Sequence, residues 1–186
     1  NKPRTLVATV PGMIGDRDMD PLRQVSDVVY HEADTLSEAS LAQMCDGFDH
    51  LMLNMDVVPK IGDVRLSPRF YEYESVKRLK SIAVDMTGVD YFSPQSAVGA
   101  GVLIQNIPHY SSRSVAESII SEILLHSRQR HLAYKDELLG RTPVARKGIN
   151  LEGKTVGIVG LGSIGASAVT RLMRHPFTRI VVVIAA

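Results

Sequence analysis

The chain has 186 residues, of which 45% are hydrophobic and 22% charged, a composition typical of a globular protein with a full core. Lysine and arginine total 21 against 20 acidic residues, so the net charge of +1 gives no reason to expect nucleic acid or an anionic membrane as a partner. No apolar run approaches the roughly 18 residues of a membrane span and no signal-peptide pattern opens the chain, so we expect a cytoplasmic protein. The single cysteine, Cys45, excludes an internal disulfide and is expected to be a packed core thiol rather than a nucleophile.

The first hundred residues alternate short apolar runs with helix-like segments, which predicts a parallel sheet with helices on its faces. The strand pattern is found at residues 5–10, 27–31, 50–54, 81–86 and 102–107. Five strands joined by crossovers predict a flavodoxin-like α/β domain over residues 1–108.

Helix-start signals lie between these strands. Thr35 and Glu38 have the spacing of a capping box, which predicts a helix that continues to residue 45. The Ser-Pro pair at residues 67 and 68 predicts a second helix that ends near residue 79, because proline is tolerated in the first helical turn.

A second capping box, Ser114 with Glu117, predicts the head of a long amphipathic helix. Apolar residues at 115, 119, 120, 123 and 124 form one stripe, and the helix is predicted to continue to about Leu139, with Gly140 as its stop. Residues 109–150 are therefore predicted to be a bridging helix followed by a linker.

The most informative stretch is KTVGIVGLGSIG at residues 154–165. A predicted strand, residues 155–159, leads through a GxGxxG motif into a predicted helix, residues 166–174, and a further strand at 179–184. The three glycines permit a tight turn, close approach of a pyrophosphate, and close packing of helix on strand. The motif alone is weak because glycines also occur in ordinary loops, but the flanking elements strengthen it. Residues 151–186 are predicted to be the first, incomplete β-α-β of a Rossmann NAD(P)-binding domain.

Three stretches, in this order, resemble the D-isomer-specific 2-hydroxyacid dehydrogenase family, which includes 3-phosphoglycerate, glycerate, formate and phosphite dehydrogenases. They are LKSI with TGVD between residues 79 and 90, VLIQNIP with SVAE between 102 and 117, and LEGKTVGIVG at 151–160. The resemblance is good over residues 79–174 and extends to the first 78 residues only in layout. It implies that the N-terminal unit binds substrate, that the second unit binds NAD, and that the site lies in the cleft between them.

The resemblance also implies roles for individual residues. The cofactor pyrophosphate would be held by Gly160, Gly162, Ser163, Ile164 and Gly165. Thr87 would lie near the nicotinamide end, and the backbone of Thr87, Gly88 and Val89 would donate to a substrate carboxylate, with Asn54 a weaker substrate-side candidate. A glycine loop at the carboxyl end of a strand can present N–H groups to an anion, although a plain turn is the alternative for residues 87–89.

Three departures from the family pattern limit what the resemblance implies. No Asp or Glu follows Glu152, so the acidic residue that would hold the ribose is not visible in the sequence. The choice between NAD and NADP as cofactor therefore stays open. Ser163 stands where the family commonly has Arg or Asn, which removes one side-chain contact to phosphate. The family's catalytic Arg, Glu and His lie downstream of the glycine motif, so we assign no catalytic residue.

His109 is the histidine nearest the expected cleft, and a surface role is favoured for it. No metal-ligand spacing is present.

The function expected from these observations is hydride transfer between NAD(P) and a 2-hydroxyacid or 2-ketoacid, by a protein that the resemblance implies to be a homodimer. We expect the 186 residues to be an N-terminal portion that is inactive by itself. The alternative is a nucleotide-sensing regulatory or corepressor-like protein on the same scaffold.

Overall fold

The computed structural model describes residues 2–60, 62–142, 144–174 and 179–183. The chain divides into two compact units, Asn1–Pro108 and His109–Ala186, here called the N-terminal and the C-terminal unit. The predicted bridging segment, 109–150, groups with the C-terminal unit. None of the helices in the described part is both long enough and apolar enough to cross a bilayer.

The N-terminal unit is built on five parallel strands. These are β1 (Arg4–Thr9), β2 (Asp27–Glu32), β3 (His50–Leu53), β4 (Ser81–Val84) and β5 (Leu103–Gln105). Their order in the sheet is β2-β1-β3-β4-β5, which is the flavodoxin-like order, so the predicted fold class is confirmed. Across the sheet from β1 to β5, one row of paired residues consists of Leu6, Leu51, Ile82 and Ile104.

Short helices connect the strands. The α-helices are α1 (Asp20–Val25), α2 (Glu38–Met44) and α3 (Pro94–Gly99), and the 3-10 helices are Asp16–Met19, Pro68–Glu72, Glu74–Val76 and Asp90–Phe92. One face of the sheet forms the core with α2, α3 and the 3-10 helices that follow β3. Cys45 lies fully buried in this core, and burial raises the pKa of its thiol to about 12, which confirms it as a packed core thiol.

Of the two predicted helix starts in this unit, the one at Ser67 and Pro68 is confirmed, because Ser67 is the N-cap of a 3-10 helix, whereas the capping box of Thr35 with Glu38 is wrong. The Ser37 hydroxyl, not that of Thr35, caps α2 by accepting the Ser40 N–H at 3.1 Å. The Glu38 carboxylate accepts the N–H and, at 2.9 Å, the hydroxyl of Ser67. Two residues predicted to start separate helices therefore bind each other. The predicted helix of residues 67–79 is two 3-10 helices, separated by the extended backbone of Tyr73.

The C-terminal unit contains α4 (Ser112–Ser127), α5 (Arg130–Leu138), β6 (Thr155–Val159), α6 (Ser163–Leu172) and β7 (Arg179–Val183). The strands β6 and β7 are parallel, as a β-α-β unit requires. The helices α4 and α6 pack together: Ala116 and Ala168 are buried, and Arg171 forms an ion pair with Glu117 at 3.1 Å. Residue 184 of the predicted last strand lies outside the described residues.

The predicted Ser114–Glu117 capping box is also wrong. The helix α4 begins at Ser112, and the Ser114 hydroxyl donates to the carbonyl of Ser111 at 3.1 Å, while Glu117 is engaged by α6. The predicted single long helix is interrupted at Gln129, which has a φ of 52°. The stop at Gly140 is confirmed, because this residue is left-handed, with a φ of 66°, and donates to the Glu137 carbonyl.

Candidate dinucleotide and substrate sites

The C-terminal glycine loop, residues 160–165, joins β6 to α6. Gly160 has a φ of 93°, a conformation that favours glycine, and its N–H donates to the Val183 carbonyl of β7 at 2.8 Å. Gly162 is the N-cap of α6, which starts at Ser163, three residues earlier than predicted. The motif therefore turns the chain sharply and brings the helix terminus directly to the end of the strand.

The second and third glycines are required for different reasons. A Cβ at Gly165 would lie 2.2 Å from the carbonyl oxygen of Gly160, so no side chain fits there. A Cβ at Gly162 would meet nothing within 4 Å. The third glycine thus permits the loop to close on itself, whereas the second leaves open space where a ligand can approach the backbone.

The start of α6 offers hydrogen-bond donors to that open space. The helix ladder begins with the Ala166 N–H donating to the Gly162 carbonyl at 2.9 Å, so the first-turn N–H groups of residues 163–165 have no helical acceptor. The ten-residue helix also directs the positive end of its dipole here. The hydroxyl of Ser163 accepts from Ser112 at 3.2 Å. These features fit the phosphates of a dinucleotide.

The N-terminal glycine loop, residues 87–89, follows β4 at the carboxyl edge of the sheet. Thr87 is exposed, and Gly88 and Val89 are half-buried. The N–H groups of these three residues find no acceptor among the described residues. Carbonyl groups at the start of the loop are instead bound by the segment that follows β5. The Ile107 N–H donates to the Met86 carbonyl at 3.1 Å, and the side-chain amide of Asn106 donates to the Thr87 carbonyl. Three unpaired amides at a sheet edge can bind a carboxylate.

Asn54 follows β3 at the same edge, but its side chain is only 3% exposed. Its Nδ2 donates to the Asp85 carboxylate, and its Oδ1 accepts the Asp56 N–H at 3.2 Å. The other Asp85 oxygen accepts the Met55 N–H at 3.0 Å. Because both polar atoms of Asn54 are engaged, the side chain braces the ends of β3 and β4. Sequence reasoning missed Asp85, although the register that pairs Leu53 with Val84 puts it beside Asn54.

Among the carboxyl groups that the structure describes, Asp49, at the opposite, amino edge of the sheet, has the most strongly shifted pKa. The N–H of Arg4 and the side chains of Arg78 and Lys80 bind its carboxylate, and these contacts hold its pKa well below its usual range. Ligands of open α/β sheets bind at the carboxyl edge, so Asp49 stabilises the unit rather than contributing to the site.

None of the histidines in the described part of the chain forms a base with a carboxylate partner at either loop. His109 has a φ of 63° and is exposed, His50 bonds to the Ser81 hydroxyl at 2.8 Å, and His126 contacts Glu122 on the outer face of α4. His175 lies outside the described residues. Within the described ranges, no group of three His, Cys, Asp or Glu side chains could hold a metal ion.

The family of the chain follows from comparison with known proteins. The family model described as D-isomer specific 2-hydroxyacid dehydrogenase, catalytic domain, matches residues 7–182. The chain belongs to this family. The D-3-phosphoglycerate dehydrogenase of Methanocaldococcus jannaschii is 37% identical over 99 residues, which cover 53% of this chain and 19% of that enzyme.

Solved structures agree with this fold. A glyoxylate reductase from Paecilomyes thermophila superposes with a TM-score of 0.77 at 15% identity, covering 97% of this chain and 60% of that one. An acyclic imino acid reductase in complex with NADPH and D-Arg gives a TM-score of 0.75 at 16% identity, covering 93% and 54%. The chain thus spans little more than half the length of these neighbours. The 2-hydroxyacid dehydrogenase family and its neighbours support a nicotinamide dinucleotide as cofactor, and nothing among them favours the regulatory alternative.

Proposed function

We propose that this chain belongs to an oxidoreductase that moves hydride between a nicotinamide dinucleotide and a 2-hydroxyacid or 2-ketoacid. The observation that carries the proposal is the glycine loop of residues 160–165, in which Gly165 has no room for a side chain while Gly162 faces open space. An ordinary turn requires neither the close packing at Gly165 nor the open space at Gly162, whereas a dinucleotide site requires both.

The cofactor, when bound, supplies the hydride, and this chain supplies its phosphate site. The N–H groups of Ser163, Ile164 and Gly165 bind the pyrophosphate at the positive end of α6, with Gly160 and Gly162 keeping the backbone accessible. No acidic residue lies in β7, so the ribose partner is unassigned and the cofactor is NAD or NADP.

The substrate carboxylate binds the amides of Thr87, Gly88 and Val89 in this proposal. Their lack of other acceptors and their position at the carboxyl edge of a parallel sheet support the role. Asn54 acts in this proposal by bracing the strand ends with Asp85 rather than by direct contact with the substrate.

Calorimetric titration of the chain with NADH and with NADPH tests the phosphate site. Gly162→Val puts a branched side chain into the space needed by the pyrophosphate, and we expect the dissociation constant to rise by about a hundredfold. Gly157→Val is the matched control, because it makes the same change in β6, also with nothing within 4 Å of the added Cβ. Equal affinities for wild type and Gly162→Val would remove the loop from the site.

We also propose a homodimer formed through the C-terminal unit. Tyr134 and Leu138 lie four residues apart on α5 and are 60% and 85% exposed, and Leu139 and Val144 extend this apolar surface. A second copy of the same helix would cover it. Light scattering on the wild type and on Leu138→Asp tests this, since only the wild type should have the mass of a dimer.

A cytoplasmic location is supported by the free thiol of Cys45 and is checked by imaging a fluorescent fusion.

A further inference from the structure

Two successive carbonyls at the start of the N-terminal glycine loop are held from the same side. The Met86 carbonyl accepts the backbone N–H of Ile107 at 3.1 Å, and the Thr87 carbonyl accepts the side-chain amide of Asn106. Both donors belong to the segment that directly follows β5. This segment therefore fixes the orientation of two consecutive peptide planes.

The orientation of these carbonyls determines where the loop amides point. No cis peptide bond is found in the described residues, and in a trans peptide the C=O and the N–H point in opposite directions. With the Met86 carbonyl held by Ile107, just after β5, the Thr87 N–H points away from that side. With the Thr87 carbonyl held by Asn106, the Gly88 N–H points away from that side as well. Two neighbouring donors then face the same way, as in the anion-binding turns formed by successive N–H groups.

We propose that Asn106 is a positioning residue that sets the Thr87–Gly88 peptide plane, so that the Gly88 N–H joins the Thr87 N–H on the substrate carboxylate. This inference rests on the proposed function of residues 87–89.

Of the two planes, only the second depends on the identity of a side chain. The Met86 carbonyl is bound by a backbone donor, which any residue except proline supplies at position 107. The plane between Thr87 and Gly88 ends in a glycine, whose backbone rotates more freely than that of other residues. Without the Asn106 amide this plane can turn, and the Gly88 N–H is then lost as a donor.

The test uses the 186-residue chain, with Asn106→Asp and Asn106→Ala as variants. An aspartate has the same shape but, when ionised, only accepts hydrogen bonds, so it repels the Thr87 carbonyl. Gln105→Glu is the matched control, since it makes the same amide-to-carboxylate change on the neighbouring, exposed residue of β5. Pyruvate is the probe of the anion site, and amide chemical shifts of residues 87–89 report its binding.

We expect both Asn106 variants to weaken pyruvate binding by about tenfold, with the melting temperature within about 2 °C of wild type. The residual dipolar coupling of the Gly88 N–H in the ligand-free protein should change in both variants and not in Gln105→Glu. If Asn106→Asp does not fold, Asn106→Ala carries the test.

The outcomes separate this inference from the proposed function. If both Asn106 variants bind pyruvate as tightly as the wild type, and the residual dipolar coupling of the Gly88 N–H is unchanged, the role of Asn106 is overturned and the proposed function stands. No pyruvate binding by the wild type removes the substrate site. In that case the residual dipolar couplings of the Gly88 N–H in the ligand-free wild type and variants decide whether Asn106 sets the Thr87–Gly88 peptide plane.

Discussion

The two glycine loops hold their donor amides by different means. In the C-terminal unit the loop is shaped within six residues, because Gly165 packs against the carbonyl of Gly160 and α6 begins at once. In the N-terminal unit, the loop of residues 87–89 is held by the side chain of Asn106, which follows β5, and the end of β4 that leads into the loop is held through Asp85 by Asn54, which follows β3. A loop built from local contacts has a recognisable sequence motif, whereas a loop held by distant residues has only a weak one.

The largest expected effect concerns the locally built loop. Gly165→Ala would bring a Cβ to 2.2 Å from a backbone oxygen, so the loop and α6 must separate. We expect a loss of about 3 kcal/mol in the free energy of unfolding of the C-terminal unit, whereas Gly162→Ala should cost less than about 1 kcal/mol. Urea denaturation followed by circular dichroism compares the two. Equal losses would show that the two glycines are not required for different reasons.

The next effect concerns the loop held by distant residues. Asn54→Ala removes both hydrogen bonds of a buried side chain and leaves Asp85 with one fewer donor, and we expect a loss of about 2 kcal/mol. Asp56→Ala, at a half-exposed neighbouring side chain, serves as the control and should change stability little. Stability within error of wild type for Asn54→Ala would mean that the brace between β3 and β4 contributes nothing measurable.

A smaller effect distinguishes true from apparent helix caps in the two units. Ser37→Ala removes the N-cap bond of α2 and should cost about 1 kcal/mol. Ser114→Ala removes a bond to the Ser111 carbonyl, inside the first turn of α4, and should cost less than about 0.5 kcal/mol. Thermal melts of both variants measure the difference. A greater loss for Ser114→Ala than for Ser37→Ala would reverse our assignment of the caps.

The smallest expected effect is the absence of a reaction. Burial raises the pKa of the Cys45 thiol to about 12, so the folded N-terminal unit holds almost no thiolate at pH 8. We expect no modification by a thiol reagent at that pH until urea unfolds the protein, after which one equivalent reacts. Rapid labelling without denaturant would show that the core of the N-terminal unit opens locally.

The sequence by itself determined the five strands of the N-terminal sheet, the β-α-β that carries the glycine motif, and the family. Buried parallel strands are continuous apolar runs, and the motif is a set of local backbone requirements, so both are written in adjacent residues. Thr35 with Glu38, and Ser114 with Glu117, satisfied a local rule of the same kind, and yet neither pair forms the capping box predicted for it.

Only the tertiary structure decided which polar groups meet. Glu38 binds Ser67, 29 positions away, Asn54 binds Asp85, 31 positions away, and Asn106 binds the carbonyl of Thr87, 19 positions away. Each of these side chains has several acceptable partners in its own neighbourhood of the chain, and a hydrogen bond has no sequence preference beyond donor and acceptor. The choice is made by strand register and helix packing, which bring one partner within reach and carry the others away.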